Sequence, residues 1–559
     1  MKTTDNMAKR IFLVFIIAVA LLFSQSLYAD DIPVLPEGLM STPEPTIEDT
    51  LPDMPSGLEK GAQTDRNNSD ESPVLPEGLS GKPEQSIEDA PIMPVGLGRD
   101  SNTKSSIEEP KMPSGLGFPS SSDNDPNSNI SKGISSVDNS TENKKQKIEW
   151  YKFLPAVKGY IEERGGVRRY DDTYEKETSV GELRMQLEME KQLGTFLFQN
   201  TIDFYYDSVP ENQSVNLETG KGYIDLRELS VSFSAFDFMD IVAGRQILTW
   251  GTGDLLFIND LFPKDWQSFL IGRDTEYLKA PSDAIKASIF TDIVNIDIAY
   301  TPKFDSDRFI SGERVSYWNG ARIAGRNSII QTNIPDNWFD NDEWAVRLTK
   351  NLNGNEFALY GYQGYWKSPG GMDSSTFKYV FPRLNVYGSS IRGQVGRGIG
   401  NIEAGYYDSR DDSRGDNPFV NNSQIRCLVG YEQDLPWIVS DLTAGFQYYL
   451  EHIMDHDDYL KKLPPGSAAT DQDRHLLTFR FTKLLWNQNL TCSLFTYYSP
   501  SDNDIYLRPN ITYKFTDDLR GEIGGNFFRG KYSHTFFGQF YENTNVFVAI
   551  RYNFFTGVL

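Results

Sequence analysis

From Glu149 to Leu559, apolar and polar side chains alternate with a period of two in short stretches separated by turn-forming or polar clusters. The clearest stretch runs from Gly181 to Glu190, where Leu183, Met185, Leu187 and Met189 alternate with Glu182, Arg184, Gln186, Glu188 and Glu190. Successive side chains of a strand point to opposite faces, so this pattern predicts one apolar and one charged face. The same arrangement recurs where Asn295 and Asp297 oppose Ile296 and Ile298, and where Arg426 and Glu432 oppose Ile425, Val429 and Tyr431. Arg508, Asn510, Thr512 and Lys514 oppose Leu507, Ile511 and Tyr513. Arg520, Glu522 and Asn526 oppose Leu519, Ile523 and Phe527, and Arg551 and Asn553 oppose Val548, Ile550 and Tyr552. Charges of both signs are hard to bury in the core of a sandwich. In a membrane barrel the apolar set meets lipid and the charged set lines a wet lumen. The pattern predicts an all-β fold: a single transmembrane antiparallel β-barrel over 149–559, with 18 strands and 16 as the alternative.

Connections sharpen the picture. Tight joints are predicted near 192–194, 236–240, 291–293, 351–354, 396–400, 434–437, 487–489 and 516–518. Long polar loops alternate with them at 207–222, 250–283, 301–341, 367–379, 410–422, 455–472 and 530–543. Short periplasmic turns and long outer loops are the habit of outer-membrane barrels. Aromatic residues crowd the predicted strand ends as Phe204/Tyr205/Tyr206, Tyr365/Trp366, Tyr406/Tyr407, Tyr448/Tyr449, Tyr497/Tyr498 and Phe527/Phe528, and are expected to form the two interfacial girdles. The last strand, Val546 to Phe555, ends in Phe554 and Phe555 and resembles the C-terminal aromatic signal read by the barrel assembly machinery, although Gly557-Val-Leu559 follow it.

Composition narrows the class further. The 559 residues are 13% aromatic and carry a net charge of -24, which argues against nucleic acid as a partner. After the first thirty residues no apolar run approaches the ~20 needed for a spanning helix. Cys427 and Cys492 both fall on apolar-phase strand positions and are expected to face lipid unpaired. Neither has a second ligand at metal spacing, so no metal or other cofactor is expected.

The N-terminus has a different texture. Lys9 and Arg10 precede the apolar run Ile11 to Phe23 and then Ser24 to Ala29, the order of a secretory signal, so 1–29 is expected to be removed after Ala29. Residues 30–148 carry 22 acids against 10 bases and few aromatics, a composition that predicts disorder. A heptapeptide of the form P-x-[LM]-P-x-G-L recurs there five times, beginning at Pro33, Pro52, Pro73, Pro91 and Pro110. Its proline spacing favours an extended polyproline conformation. That suits either a multivalent periplasmic tether for an envelope partner or a spacer with no partner.

The most informative segment follows the fifth predicted strand. It reads Gly244-Arg-Gln-Ile-Leu-Thr-Trp250-Gly-Thr-Gly-Asp254, then Leu255 to Gln267, ending Arg273-Asp-Thr-Glu276, and is preceded by Arg227-Glu-Leu-Ser-Val-Ser-Phe233. Together these resemble bacterial porin-like and alginate-export-type outer-membrane proteins, in which a Gly-Arg-Gln strand leads to Trp-Gly and an Asp-bearing loop. In porins the third outer loop folds inward and narrows the pore, and the resemblance implies the same here. The residues agree with it: Phe257, Ile258, Leu261, Phe262, Trp266 and Phe269 need burial that an exposed loop would not give. Asp254, Asp260, Lys264, Asp265, Arg273, Asp274 and Glu276 could then place fixed charge at a constriction. The competing reading is a hydrophobic cap on the barrel rim with no role in selectivity.

Inner-phase residues expected to line the lumen are Arg184, Glu188, Arg245, Asp297, Arg347, Arg426, Glu432, Arg480, Arg508, Glu522 and Arg551. An enzyme is not expected, because none of His452, His456, His475 and His534 stands beside a recognisable serine motif. The sequence thus points to a multi-pass channel in the outer membrane lipid of a Gram-negative cell, passing small polar solutes passively or with weak selectivity. Export of an anionic polysaccharide and an envelope-organising barrel with partner-binding repeats are the alternatives. Monomer and homotrimer both stay open.

Overall fold

The computed structural model describes residues 156–556. The signal-peptide and repeat-region expectations for 1–29 and 30–148 lie outside the described residues. Strong alternation and β-branched or aromatic residues give long strands. The first nine are β1 (Ala156–Arg168), β2 (Thr178–Leu193), β3 (Phe196–Asp207), β4 (Ile224–Phe236), β5 (Met239–Gln246), β6 (Ser282–Ile289), β7 (Asn295–Thr301), β8 (Glu343–Leu352) and β9 (Asn355–Tyr365). The second nine are β10 (Arg383–Val395), β11 (Gly398–Ser409), β12 (Gln424–Asp434), β13 (Leu442–Ile453), β14 (Asp473–Leu485), β15 (Leu490–Ser499), β16 (Asp504–Lys514), β17 (Leu519–Gly530) and β18 (Asn545–Thr556).

Each strand pairs antiparallel with the next, and β18 returns to pair with β1 from Thr556 opposite Val157 to Asn545 opposite Arg168. The 18-stranded sheet is therefore a closed cylinder with no free edge, and the 16-stranded alternative falls. Short turns join the strands at one end. One of the two-residue turns is Asn353-Gly354, where both residues have positive φ (53° and 80°), the geometry that Asn-Gly supplies in a two-residue hairpin. The long loops gather at the other end, together with two shorter ones at 169–177 and 500–503.

Register separates the two faces. Leu183, Leu359, Ile523, Val548 and Ile550 stand exposed on the outside, and Cys427 and Cys492 share that outward phase opposite Leu450 and Ile511. Arg164, Arg184, Glu403, Arg426 and Glu451 point inward and are buried. The girdle expectation needs a correction. Adjacent residues of a strand must face opposite ways, so each aromatic pair splits. Tyr206, Tyr406 and Tyr498 stand outside, while Tyr205, Tyr407, Tyr449, Tyr497 and Phe528 are buried inside the cylinder. What reads in the sequence as two lipid–water belts is, for half of its residues, an aromatic inner wall.

Candidate functional site

That wall holds the third loop of the long-loop end, residues 247–281. Its apolar residues would be costly in water, and the barrel interior gives them cover. Trp250, Leu255, Leu256, Phe257, Ile258 and Phe269 are all buried, in one cluster with Tyr407, Leu428, Tyr449, Tyr497 and Tyr506 from the inner faces of β11, β12, β13, β15 and β16. The Phe269 ring meets those of Tyr497 and Tyr506 edge-on at 6.3 and 5.7 Å. Within the loop, Asp265 caps the short helix α1 (Trp266–Ile271) by accepting from Ser268 N, and Gly272 ends it with φ at 84°.

Polar anchors fix the loop to opposite sides of the cylinder. On one side the buried Glu403 carboxylate of β11 accepts from Thr252 N (2.7 Å), Gly253 N (3.2 Å) and Asn259 N (2.9 Å), and from the Thr252 hydroxyl and Asn259 amide. Gln447 of β13 exchanges bonds with both backbone groups of Asp254. The loop lies close against bare backbone here: a Cβ at Gly388 would fall 1.6 Å from Asn259 Oδ1, and one at Gly405 2.7 Å from Ile258 Cγ2. On the other side Arg164 of β1 donates to Gly272 O (2.6 Å) and Arg273 donates to Glu182 of β2 (2.9 Å). Tyr277 donates to Asp203 of β3 (2.7 Å) while its ring carries Arg184 and Arg227 at 4.3 Å. The loop is a plug set inside the barrel, not a lid on its rim.

The predicted loop charges divide into two groups. Asp254 pairs with Arg480 at 2.7 Å, Asp274 with Arg520 at 2.9 Å, and Glu276 lies 3.5 Å from Arg551. These three acids keep 33%, 25% and 39% of their side-chain surface, so they face the wet part of the lumen. Asp260, Lys264, Asp265 and Trp266 are buried within the plug: Lys264 pairs with Asp260 at 3.1 Å, Asp265 lies 3.5 Å from Arg308, and Trp266 donates to Asp307. Arg273 also turns into the wall rather than toward water. Asp265→Ala is accordingly expected to cost at least about 1 kcal/mol, through loss of the helix cap and of the buried contact to Arg308. Thermal denaturation in detergent would show it, with ion selectivity unchanged.

Of the predicted lumen residues, Arg184, Glu188, Asp297, Arg347, Arg426, Glu432, Arg480, Arg508, Glu522 and Arg551 all sit on the inner phase of their strands. Arg245 does not. It stands opposite Leu229 and Asp283 on the outward phase at the long-loop rim, pairs with Asp283 at 2.9 Å, and donates to backbone carbonyls of Leu217 and Leu226. Its strand ends one residue later, where phase alone is a poor guide. His452 is bonded to Asp473 and His456 to Thr470 O, so each of these two histidines has a partner of its own. Sequence reasoning did not single out Glu403 or Gln447, and it assigned Tyr205, Tyr407, Tyr449, Tyr497 and Phe528 to the interfacial girdles rather than to the inner wall. An acid on the inner phase of a strand looks the same whether it meets water or a loop.

A closed antiparallel cylinder of even strand number, apolar outside and charged inside, is a multi-pass β-barrel of the Gram-negative outer membrane, and the long loop folded into its lumen makes the architecture porin-like. No protein-family model and no curated protein matches the sequence. Among solved structures the chain is similar to Acinetobacter baumannii OccAB4 (10% identity, 72% of this chain and 98% of that one, TM-score 0.45). It is also similar to Pseudomonas aeruginosa OccK11 (7% identity, 72% and 96%, TM-score 0.44) and to a triple mutant of the Rhodopseudomonas blastica porin (11% identity, 71% and 99%, TM-score 0.32).

Proposed function

We propose that the barrel is an outer-membrane channel for small polar solutes, in which loop 247–281 sets the passage. The supporting observation is the placement of charge: Asp254, Asp274 and Glu276 on the wet side of the plug, each within ion-pair reach of an arginine of the wall. Opposed charges at a narrow point orient polar solutes and bias ion flow. Acids and bases are mixed on the inner face, with Glu188, Asp297, Glu432 and Glu522 among the arginines, which favours this reading over export of an anionic polysaccharide along an arginine-dominated wall. Residues 1–29 as export signal and 30–148 as periplasmic tether complete the proposal. The test is the reversal potential of single channels in a salt gradient. Asp254→Asn combined with Asp274→Asn should shift it toward anions, and an unchanged potential would remove the loop's acids from the passage.

Glu276 adds a pH dependence. Burial first, and neighbouring Asp274 second, push its carboxyl up to about 7 against the pull of Arg551 and Arg227. Tyr160 also faces it at 3.3 Å. A carboxyl raised in this way loses its charge at higher pH than an ordinary one, so cation preference should fall as the solution is acidified through neutrality, and Glu276→Gln should flatten the fall. The stability sign is opposite to that of an ordinary paired carboxylate. With its folded value above the unfolded one, Glu276 favours the fold at acid pH, and that contribution is lost as pH rises through 7.

A further inference from the structure

The outward face of the barrel carries a charge where lipid should be. Glu163 of β1 is exposed and stands opposite Leu183 of β2 and Ile550 of β18, both exposed on the outside of the cylinder. It lies seven residues from the start of β1 at Ala156 and five from its end at Arg168, which places it at the middle of the hydrocarbon layer. It makes no hydrogen bond or ion pair with any described residue. Other outward charges stand near strand ends. Arg245 and Asp283 pair at the long-loop rim, and Lys191, Lys350 and Lys483 lie close to the short turns, where a long side chain reaches water.

The sheet beside Glu163 is bare. The next outward residue of β1 is Gly165, paired directly with Gly181 of β2. Gly165 is not among the glycines with positive φ, and a Cβ there would meet nothing within 4 Å. Neither backbone conformation nor packing within the chain therefore calls for glycine. A glycine inside a strand weakens it, and it often marks a place where another backbone comes close. Exposed Ile161, Val167, Leu183 and Val548 rim the hollow. A carboxylate left unanswered at mid-membrane is costly, and ionisable residues at that depth usually face a partner or a wet cavity.

We propose that this patch of β1, β2 and β18 docks a membrane-embedded segment of a second protein, laid over the Gly165–Gly181 hollow with a lysine or arginine against Glu163. A second copy of this chain is a poorer fit. Among the described residues no outward-facing base stands at the depth of Glu163, so a copy would offer it only apolar side chains or another carboxylate. The surface lies outside the cylinder, and its use does not depend on what the lumen conducts.

The test is the rate at which N,N′-dicyclohexylcarbodiimide, an apolar reagent, converts the Glu163 carboxyl to its N-acylurea, followed by mass spectrometry of the full-length protein after proteolysis. Labelling should be several-fold slower in native outer membranes than in vesicles of the purified protein and lipid extracted from those membranes. Leu359→Glu, a lipid-facing carboxyl placed on β9, should label at one rate in both and calibrates reagent access. Adding a leucine-rich spanning helix with one central lysine to the vesicles should slow labelling of Glu163, and the same helix with a central methionine should not. Gly165→Val fills the hollow without an internal clash and should restore fast labelling in native membranes. Equal rates at Glu163 in the two membranes, equal effects of the two helices, or protection that survives Gly165→Val would each overturn the proposal. Protection that appears in vesicles merely on raising the density of the purified protein would also overturn it, assigning the face to a second copy.

Discussion

Excision of residues 249–279, with a short Gly-containing turn joining the remaining ends, is expected to raise single-channel conductance several-fold while the barrel still assembles. The geometry permits the cut because Gln246 pairs directly with Ser282, so β5 and β6 remain a hairpin when the loop between them is shortened. Removing the plug takes away Trp250, Leu255, Phe257 and Phe269 from the centre of the lumen and leaves an aromatic inner wall facing water. The wall itself is held by the closed ladder of 18 strands and does not need the loop for its hydrogen bonds. Planar-bilayer recordings and heat-dependent gel mobility would show both effects. An assembled barrel with unchanged conductance would mean that solutes pass, if at all, by a route the plug does not touch.

Glu403→Ala is expected to have the second largest effect. This one carboxylate satisfies three backbone N–H groups of the plug and two of its side chains, all within the cylinder. Alanine would strand those donors where water has little access. Breaking a buried charged network of this kind costs about 3–5 kcal/mol. The loss should appear as a lower denaturation midpoint and as flickering between conductance levels, since the Glu403 side of the plug would come loose while the Arg164 and Arg273 contacts persist on the other. Glu403→Gln keeps one acceptor oxygen and should lie between. A steady wild-type trace in Glu403→Ala would mean that packing alone fixes the loop.

The barrel was legible because lipid and water read alternate residues. Leu183 through Glu190, or Arg508 through Lys514, leave no other arrangement that satisfies both faces, and turns such as Asn353-Gly354 mark their own positions. The inward course of loop 247–281 was readable from its aromatic content and its resemblance to porin-like loops. Its docking partners were not. Glu403 and Gln447 are ordinary inner-phase residues in sequence, Tyr497 reads as half of an interfacial aromatic pair, and Gly388 and Gly405 look like any strand glycine until Asn259 and Ile258 are found lying against them. Alternation reports which face a side chain takes and is silent on what fills the lumen. For the same reason Asp260, Lys264 and Asp265 read as pore charges although they are spent on each other and on Arg308 inside the plug. Arg245 shows the other limit, since phase loses meaning where a strand ends under a loop.

The most direct measurement compares two neighbouring positions of β16 in a Cys427→Ser/Cys492→Ser background. Asn510→Cys should react with a charged, membrane-impermeant thiol reagent in reconstituted vesicles. Ile511→Cys, one residue along, should resist that reagent, and a fluorophore placed there should be quenched by nitroxide-labelled lipid. Equal labelling of the two positions, or the reverse order, would contradict a cylinder whose alternate residues meet hydrocarbon and water.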